Sequence, residues 1–228
     1  MAGLQKLEPR QPLVAEASTN PDAVVFVVDD DPDVRGGLKS LFESVGIACR
    51  VFKSADEFIA HQRIDTVSCL VLDVRLPGPS GLDFQADLGA DGIDIPIIFI
   101  TGHGDVPMSV KAMKAGAVEF LIKPLRDQDL LDATRLAFEH DRKRRESRGK
   151  LQDMRERFDA LSDRQREVLS LVSAGLMNKQ IAFKMKLSEV TVKVHRRRLM
   201  KRLGVKSVPE LVRVVEALKI PAPASTMV

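Results

Sequence analysis

The chain has 228 residues, enough for one large domain or two smaller ones, and a hydrophobic content of 44% excludes wholesale disorder. Its net charge of +3 is unevenly spread: from Asp141 onward there are 22 basic against 10 acidic residues, and before it 13 against 22. No apolar run approaches the roughly 20 residues of a membrane helix and no signal-peptide core opens the chain, so a cytoplasmic location without membrane contact is expected.

An acidic front and a basic back predict two domains with different partners, the second a candidate for nucleic acid. A solvated basic surface would carry the same charge. Residues 1–22 are rich in Pro, Ala and Gln without periodicity and read as a flexible extension. Ala23 to Val28 is a buried strand that runs into Asp29, Asp30 and Asp31. Pro32 suits the first turn of a helix carrying Val34, Leu38, Leu41 and Phe42 at helical spacing. Ile47 to Phe52 reads as a second strand, followed by a helix capped by Ser54 with Glu57 three residues on.

The third strand, Cys69 to Leu72, is an unbroken apolar run that ends on Asp73 before Pro77, Gly78, Pro79 and Gly81 turn the chain. Taken alone, an Asp there reads equally as the start of a turn. Leu82 to Leu88 suits a short helix, Ile95 to Ile100 a fourth strand ending at Thr101, and Pro107 to Ala115 a helix stopped by Gly116. Ala117 to Ile122 is a fifth strand ending at Lys123-Pro124, and a helix from Asp127 passes His140. Cys49 and Cys69 both sit in apolar strand-like runs, as small buried hydrophobes rather than a metal or redox pair.

Arg142 to Lys150 is nearly all charge, and Leu151, Met154, Phe158 and Leu161 then resume a helical stripe. Beyond it the chain reads as wholly helical. Ser162 with Gln165 forms a capping-box pattern, Gly175 stops that helix, and Asn178 caps a short one through Ile181, Ala182 and Met185. Ser188 caps the next helix after a Lys186-Leu187 turn, and Ser207-Val208-Pro209-Glu210 opens a last one. The middle pair has helix-turn-helix proportions. On its second helix Val190, Val192, Leu199 and Leu203 are expected to face the core, leaving Lys193, Arg196, Arg197, Arg198, Lys201 and Arg202 outside.

The predicted fold is therefore an α/β doubly wound, five-stranded parallel domain followed by an all-α four-helix domain. The expected boundaries are a flexible extension at 1–22, the α/β domain at 23–141, a linker helix at 142–159, the helical domain at 160–220 and a flexible tail at 221–228. A parallel sheet delivers its strand ends to one rim. That rim receives Asp29, Asp30, Asp73, Thr101 and Lys123. Converging carboxylates repel unless a cation neutralises them, and hard oxygen ligands suit Mg2+. A carboxylate is also a nucleophile for an aspartyl-phosphate, with Lys123 and Thr101 in reach of the phosphoryl oxygens.

Val27-Val28-Asp29-Asp30-Asp31, Leu72-Asp73-Val74-Arg75-Leu76-Pro77-Gly78, Thr101-Gly102-His103-Gly104-Asp105 and Lys123-Pro124 resemble the receiver domain of two-component response regulators. The resemblance implies that Asp73 accepts a phosphoryl group from a sensor histidine kinase. It implies Mg2+ on Asp29, Asp30, Asp73 and the Arg75 carbonyl, with Thr101 and Lys123 contacting the phosphoryl group. It also implies a switch pairing Thr101 with an aromatic, here Phe120 in place of the commoner Tyr; a plain core residue is the other reading of Phe120.

Leu161-Ser162, Arg164 and Glu167, then Gly175, Asn178-Lys179 and Ile181-Ala182, then Ser188 and Thr191-Val192-Lys193-Val194-His195-Arg196 resemble the LuxR-type helix-turn-helix of the NarL/FixJ response regulators. The stretch from Thr101 to Met108 and that from Lys111 to Val118 narrow this to the branch of FixJ, NodW, StyR and TodT. The resemblance implies that Lys193, Val194 and Arg197 meet base edges of double-stranded promoter DNA. Asn178, Lys179, Thr191, His195, Arg196 and Lys201 would meet phosphates or fix the helix pose, His195 reading equally as a structural histidine. A transcription regulator rather than a dedicated enzyme is expected, a homodimer when phosphorylated, activating through RNA polymerase. Two rivals remain at this point: a Mg2+-dependent phosphatase, for which Arg75 stands where a second Asp is common, and an RNA-binding output.

Overall fold

Six consecutive apolar residues, Ala23–Val28, form strand β1 of the computed structural model, which describes residues 23–61 and 65–220. The flexible extension and tail predicted at 1–22 and 221–228 lie outside the described residues. The chain divides into two units, the break falling between Arg142 and Lys143.

In the first unit the order is β1, α1 (Pro32–Ser44), β2 (Ala48–Phe52), α2 (Ala55–Ala60), β3 (Val67–Asp73), α3 (Gly81–Ala90), β4 (Ile97–Thr101), α4 (Val106–Lys114), β5 (Glu119–Ile122) and α5, which begins at Asp127. The five strands are parallel in the order β2-β1-β3-β4-β5. β1 alternates its side chains between two cores. Val25 and Val27 pack with Leu38 and Phe42 of α1 and Leu130, Ala137 and Phe138 of α5. Val24, Phe26 and Val28 pack with Phe58 of α2, Phe84 and Leu88 of α3 and Ala112 of α4. Burial on both faces is what an uninterrupted apolar strand requires. The order reverses at β1 and β3, so the ends of these two strands, Asp29 and Asp73, become neighbours across the pair Val28–Leu72.

β4 starts two residues later than its apolar run. Pro96 has no N–H to donate, and its carbonyl instead accepts from Leu70 N at 2.9 Å. β5 likewise starts at Glu119, two residues after Ala117. Residues 142–159, read from sequence as a linker helix, are the C-terminal part of one 33-residue helix, α5 (Asp127–Asp159).

The second unit adds α6 (Asp163–Ser173), α7 (Asn178–Met185), α8 (Glu189–Leu203) and α9 (Val208–Ala217) around Val168, Leu169, Ile181, Val192, Leu199 and Leu211. Ser162 and Gln165 form the predicted capping box. Asn178 is not a cap: Met177 occupies that position, its N–H bound by the Gln180 side chain at 2.8 Å, and Asn178 is the first helical residue. Lys186, in the left-handed conformation at φ 54°, ends α7 and turns the chain into α8. Val190, expected in the core, is 70% exposed, because it lies two residues from buried Val192 and so on the opposite side of the helix. Among the described residues no helix is long and apolar enough to cross a membrane.

Candidate functional site

The three aspartates after β1 separate at once. Asp31 caps α1, its Oδ1 accepting from Asp33 N at 2.8 Å and Val34 N at 3.4 Å. Asp29 and Asp30 stay on the rim with Asp73, and each of the three offers a carboxylate oxygen within 4.8 Å of the others. Asp29 is fully buried, Asp73 nearly so, and Asp30 faces water.

From the end of β5, the Lys123 ammonium donates to Asp29 Oδ2 and to Asp73 Oδ2, both at 2.7 Å. The other oxygens are taken by backbone: Asp29 Oδ1 accepts from Asp31 N and Asp73 Oδ1 from Arg75 N, each at 2.9 Å. Burial pulls the Lys123 amine down, but its bonds to Asp29 and Asp73 outweigh that and hold it above its ordinary value. Burial pushes Asp29 up, and the Lys123 hydrogen bond only partly opposes it. Three carboxylates against one ammonium leave the pocket with net negative charge, two of the carboxylates buried and Asp30 open to water. Such an all-oxygen donor set fits a hard divalent cation. Asp29, Asp30 and Asp73 are the residues able to hold one, and Arg75 follows on the same turn.

Thr101, at the end of β4, is buried, and its hydroxyl exchanges hydrogen bonds with the His103 backbone at 3.3 and 3.4 Å. Phe120 is half-buried, its ring 6.4 Å from that of Phe99. Gly104 lies against both: a Cβ there would stand 3.0 Å from Phe120 Cε1 and 3.2 Å from Thr101 Cγ2. The fold thus brings Asp29, Asp30, Asp73 and Lys123 into one cluster, with Thr101 at the end of the adjoining β4 and Phe120 inside β5, two residues before its exit.

The candidate DNA-contacting residues of the second unit fall into two groups. On α8, Lys193, Val194, Arg197 and Lys201 are exposed, as is Lys179 on α7. Thr191, His195, Arg196 and Asn178 are half-buried. Arg196 donates to Asn178 Oδ1 at 2.8 Å, tying α8 to the start of α7, and Thr191 is held in the cap of α8 by Ser188. Arg196 and Asn178 thus join α8 to α7 and Thr191 sits in the α8 cap, while Lys193, Arg197, Lys201 and Lys179 present charge to solvent. Sequence reasoning missed Val190 on that outer face. A helical wheel carried the signal, since Val190, Val194, Arg197 and Lys201 recur at i, i+4, i+7 and i+11.

Comparison with known proteins matches residues 25–135 to the response regulator receiver domain, and residues 159–215 to the luxR family of bacterial regulatory proteins. Nodulation protein W of Bradyrhizobium diazoefficiens is 53% identical over 207 residues, 91% of this chain and 90% of that one. The transcriptional regulatory protein FixJ of Rhizobium meliloti is 43% identical over 86% of this chain and 96% of its own. The solved structure of the response regulator StyR is 48% identical with a TM-score of 0.74, covering 86% of this chain and 98% of that one.

Proposed function

This chain belongs to the two-component response regulators that join a receiver domain to a LuxR-type DNA-binding domain, and on that premise we propose that phosphorylation of Asp73 drives dimerisation and sequence-specific promoter binding. The observation that carries the proposal is the Lys123 ammonium seated between Asp29 and Asp73 in a net-negative buried pocket. An Asp73 oxygen attacks the phosphorus of a sensor kinase's phosphohistidine; the P–N bond breaks and its electron pair leaves on the imidazole nitrogen. Asp29, Asp30, Asp73 and the Arg75 carbonyl would hold Mg2+, which would supply positive charge against the phosphoryl oxygens. Lys123 transfers a hydrogen bond from Asp73 to a phosphoryl oxygen, and Arg75 N steadies the acceptor carboxylate.

The Thr101 hydroxyl then exchanges the His103 backbone for the phosphoryl group, and Phe120 repacks as the β4–α4 loop follows. That loop leads into α4, whose Val106, Val110 and Met113 are exposed at i, i+4 and i+7 beside exposed Ile122 of β5. A two-fold dimer through this face brings two α8 helices to half-sites about one DNA turn apart. Lys193, Val194 and Arg197 read bases; Lys179, Lys201 and, from the half-buried set, Asn178, Thr191, His195 and Arg196 meet or orient toward the phosphates. The domain limits assigned from sequence, 23–141 and 160–220 joined through 142–159, are part of the same proposal, as is activation through RNA polymerase.

Coupling of this kind is worth about 1–3 kcal/mol, or roughly 5- to 150-fold in affinity. The test is selection of duplexes from random DNA by the full chain, with and without a phosphoramidate donor, beside Asp73→Asn. An acid-labile phosphate on Asp73 and tighter binding of the donor-treated chain alone are expected. Equal affinity in all arms would refute the switch.

A further inference from the structure

The outer stripe of α8 mixes two kinds of side chain. Arg197 and Lys201 carry it toward the C-terminus, whereas its first turns present Val190, 70% exposed, and Val194, 41% exposed. Both valines point away from the buried side formed by Val192, Leu199 and Leu203. Neither caps the helix: Ser188 and Thr191 do that work. An apolar pair at the leading end of a cationic helix needs an occupant that tolerates both chemistries.

A protein surface that buried Val190 and Val194 would also strip water from Lys193 and Arg197, which flank them, at a cost that needs matched carboxylates. The DNA major groove meets both demands, since its walls are phosphates and its floor carries one apolar group, the C5-methyl of thymine. The first residues of a recognition helix are those that reach base edges. We propose that Val190 is a specificity-determining residue that, with Val194, packs on a thymine methyl in each half-site. This rests on the reading of α8 as the DNA-reading helix and adds a position to the set Lys193, Val194 and Arg197.

The test uses the full chain and the duplex selected with the phosphoramidate donor present. Each thymine is replaced in turn by uracil, which removes the methyl and nothing else, and affinity is measured for the wild type and Val190→Ala. One thymine per half-site is expected at which uracil weakens the wild type roughly 4-fold, the value for one buried methyl, and weakens Val190→Ala, which keeps only the Val194 contact, by clearly less. Because Val190 is exposed, the variant is expected to melt with the wild type, and equal melting temperatures establish that any lost affinity is local. If uracil costs both proteins equally at every thymine, Val190 reads nothing and the inference falls while DNA binding stands. If the wild type selects no duplex, the proposed function falls and takes the inference with it.

Discussion

Replacing Gly81 with alanine tests how closely β3 and α3 must approach. Gly81 is the first residue of α3, and its N–H donates to Val74 O at 2.9 Å across the turn that follows Asp73. A Cβ built there falls 2.4 Å from the Asp73 carbonyl oxygen and 3.1 Å from Val74 Cα, whereas ordinary contact begins near 3.4 Å. Both obstacles are backbone, so no rotamer change relieves them, and the strand end and helix must part by about 1 Å. Overpacking of this sort costs about 1–3 kcal/mol. Stretching the Gly81–Val74 hydrogen bond costs about 1 kcal/mol more. A total of about 2–4 kcal/mol lowers the melting temperature of the receiver by roughly 8–16 °C at about 4 °C per kcal/mol. The displaced peptide is that of the acceptor aspartate itself, so Mg2+ affinity falls as well. Scanning calorimetry and calorimetric Mg2+ titration on the full chain, which has neither Trp nor Tyr to report by fluorescence, read both effects. A Gly81→Ala protein that melts within 2 °C of the wild type and binds Mg2+ equally would refute the reasoning.

Gly104→Ala presses instead on side-chain ends, those of Phe120, Ile122 and Thr101, at 3.0–3.2 Å. It is expected to disfavour the present Phe120 packing and raise donor-independent DNA affinity by roughly 2- to 5-fold, measured by anisotropy with the selected duplex. Asn178→Ala removes the partner of Arg196; DNA affinity is expected to fall several-fold with an unchanged salt dependence, whereas Lys201→Ala lowers the slope of log affinity on log salt by about one. Burial, with a smaller contribution from the Glu43 charge, pushes the Cys49 thiol up to about 12, and burial pushes Cys69 higher still. Native protein at pH 8 should therefore leave both thiols unmodified by iodoacetamide over minutes, while unfolded protein alkylates at both, as mass spectrometry reads. Since folding favours the protonated thiols, their contribution is intact below the ordinary value of 9.0 and is lost as pH climbs from there toward 12.

The pocket was legible because each of its residues ends a strand, and the strands are plain in the sequence. Ala23–Val28 and the run into Asp73 are bounded by carboxylates and turn residues, so periodicity alone locates their ends. Local chemistry also placed the caps at Ser54, Ser162, Ser188 and Ser207. Asn178 misled because the side chain at the true cap, Met177, accepts no hydrogen bond, and the helix start is fixed by Gln180 reaching back. Val190 misled because apolar character was taken for burial, although its helical phase opposes Val192. The left-handed Lys186 and the cis bond between Lys123 and Pro124 are not readable in advance, since lysine seldom takes positive φ and most X–Pro bonds are trans. The strand ends placed Lys123 and Asp29, 94 residues apart, on one rim, but not the hydrogen bond by which the ammonium bridges Asp29 and Asp73.

Asp141 belongs to the same class of long-range contacts. It is fully buried near the middle of α5, and its Oδ2 accepts the backbone N–H of Ser68, 73 residues earlier, at the entry of β3. The same strand that carries the acceptor at its exit is thus pinned at its other end by a carboxylate lying six residues past the matched receiver segment, which closes at residue 135. An excised receiver trimmed to that segment would leave the Ser68 amide stranded and loosen the rod on which Asp73 is mounted. Phosphorylation kinetics taken from so short a fragment would describe a softer acceptor than the intact regulator possesses.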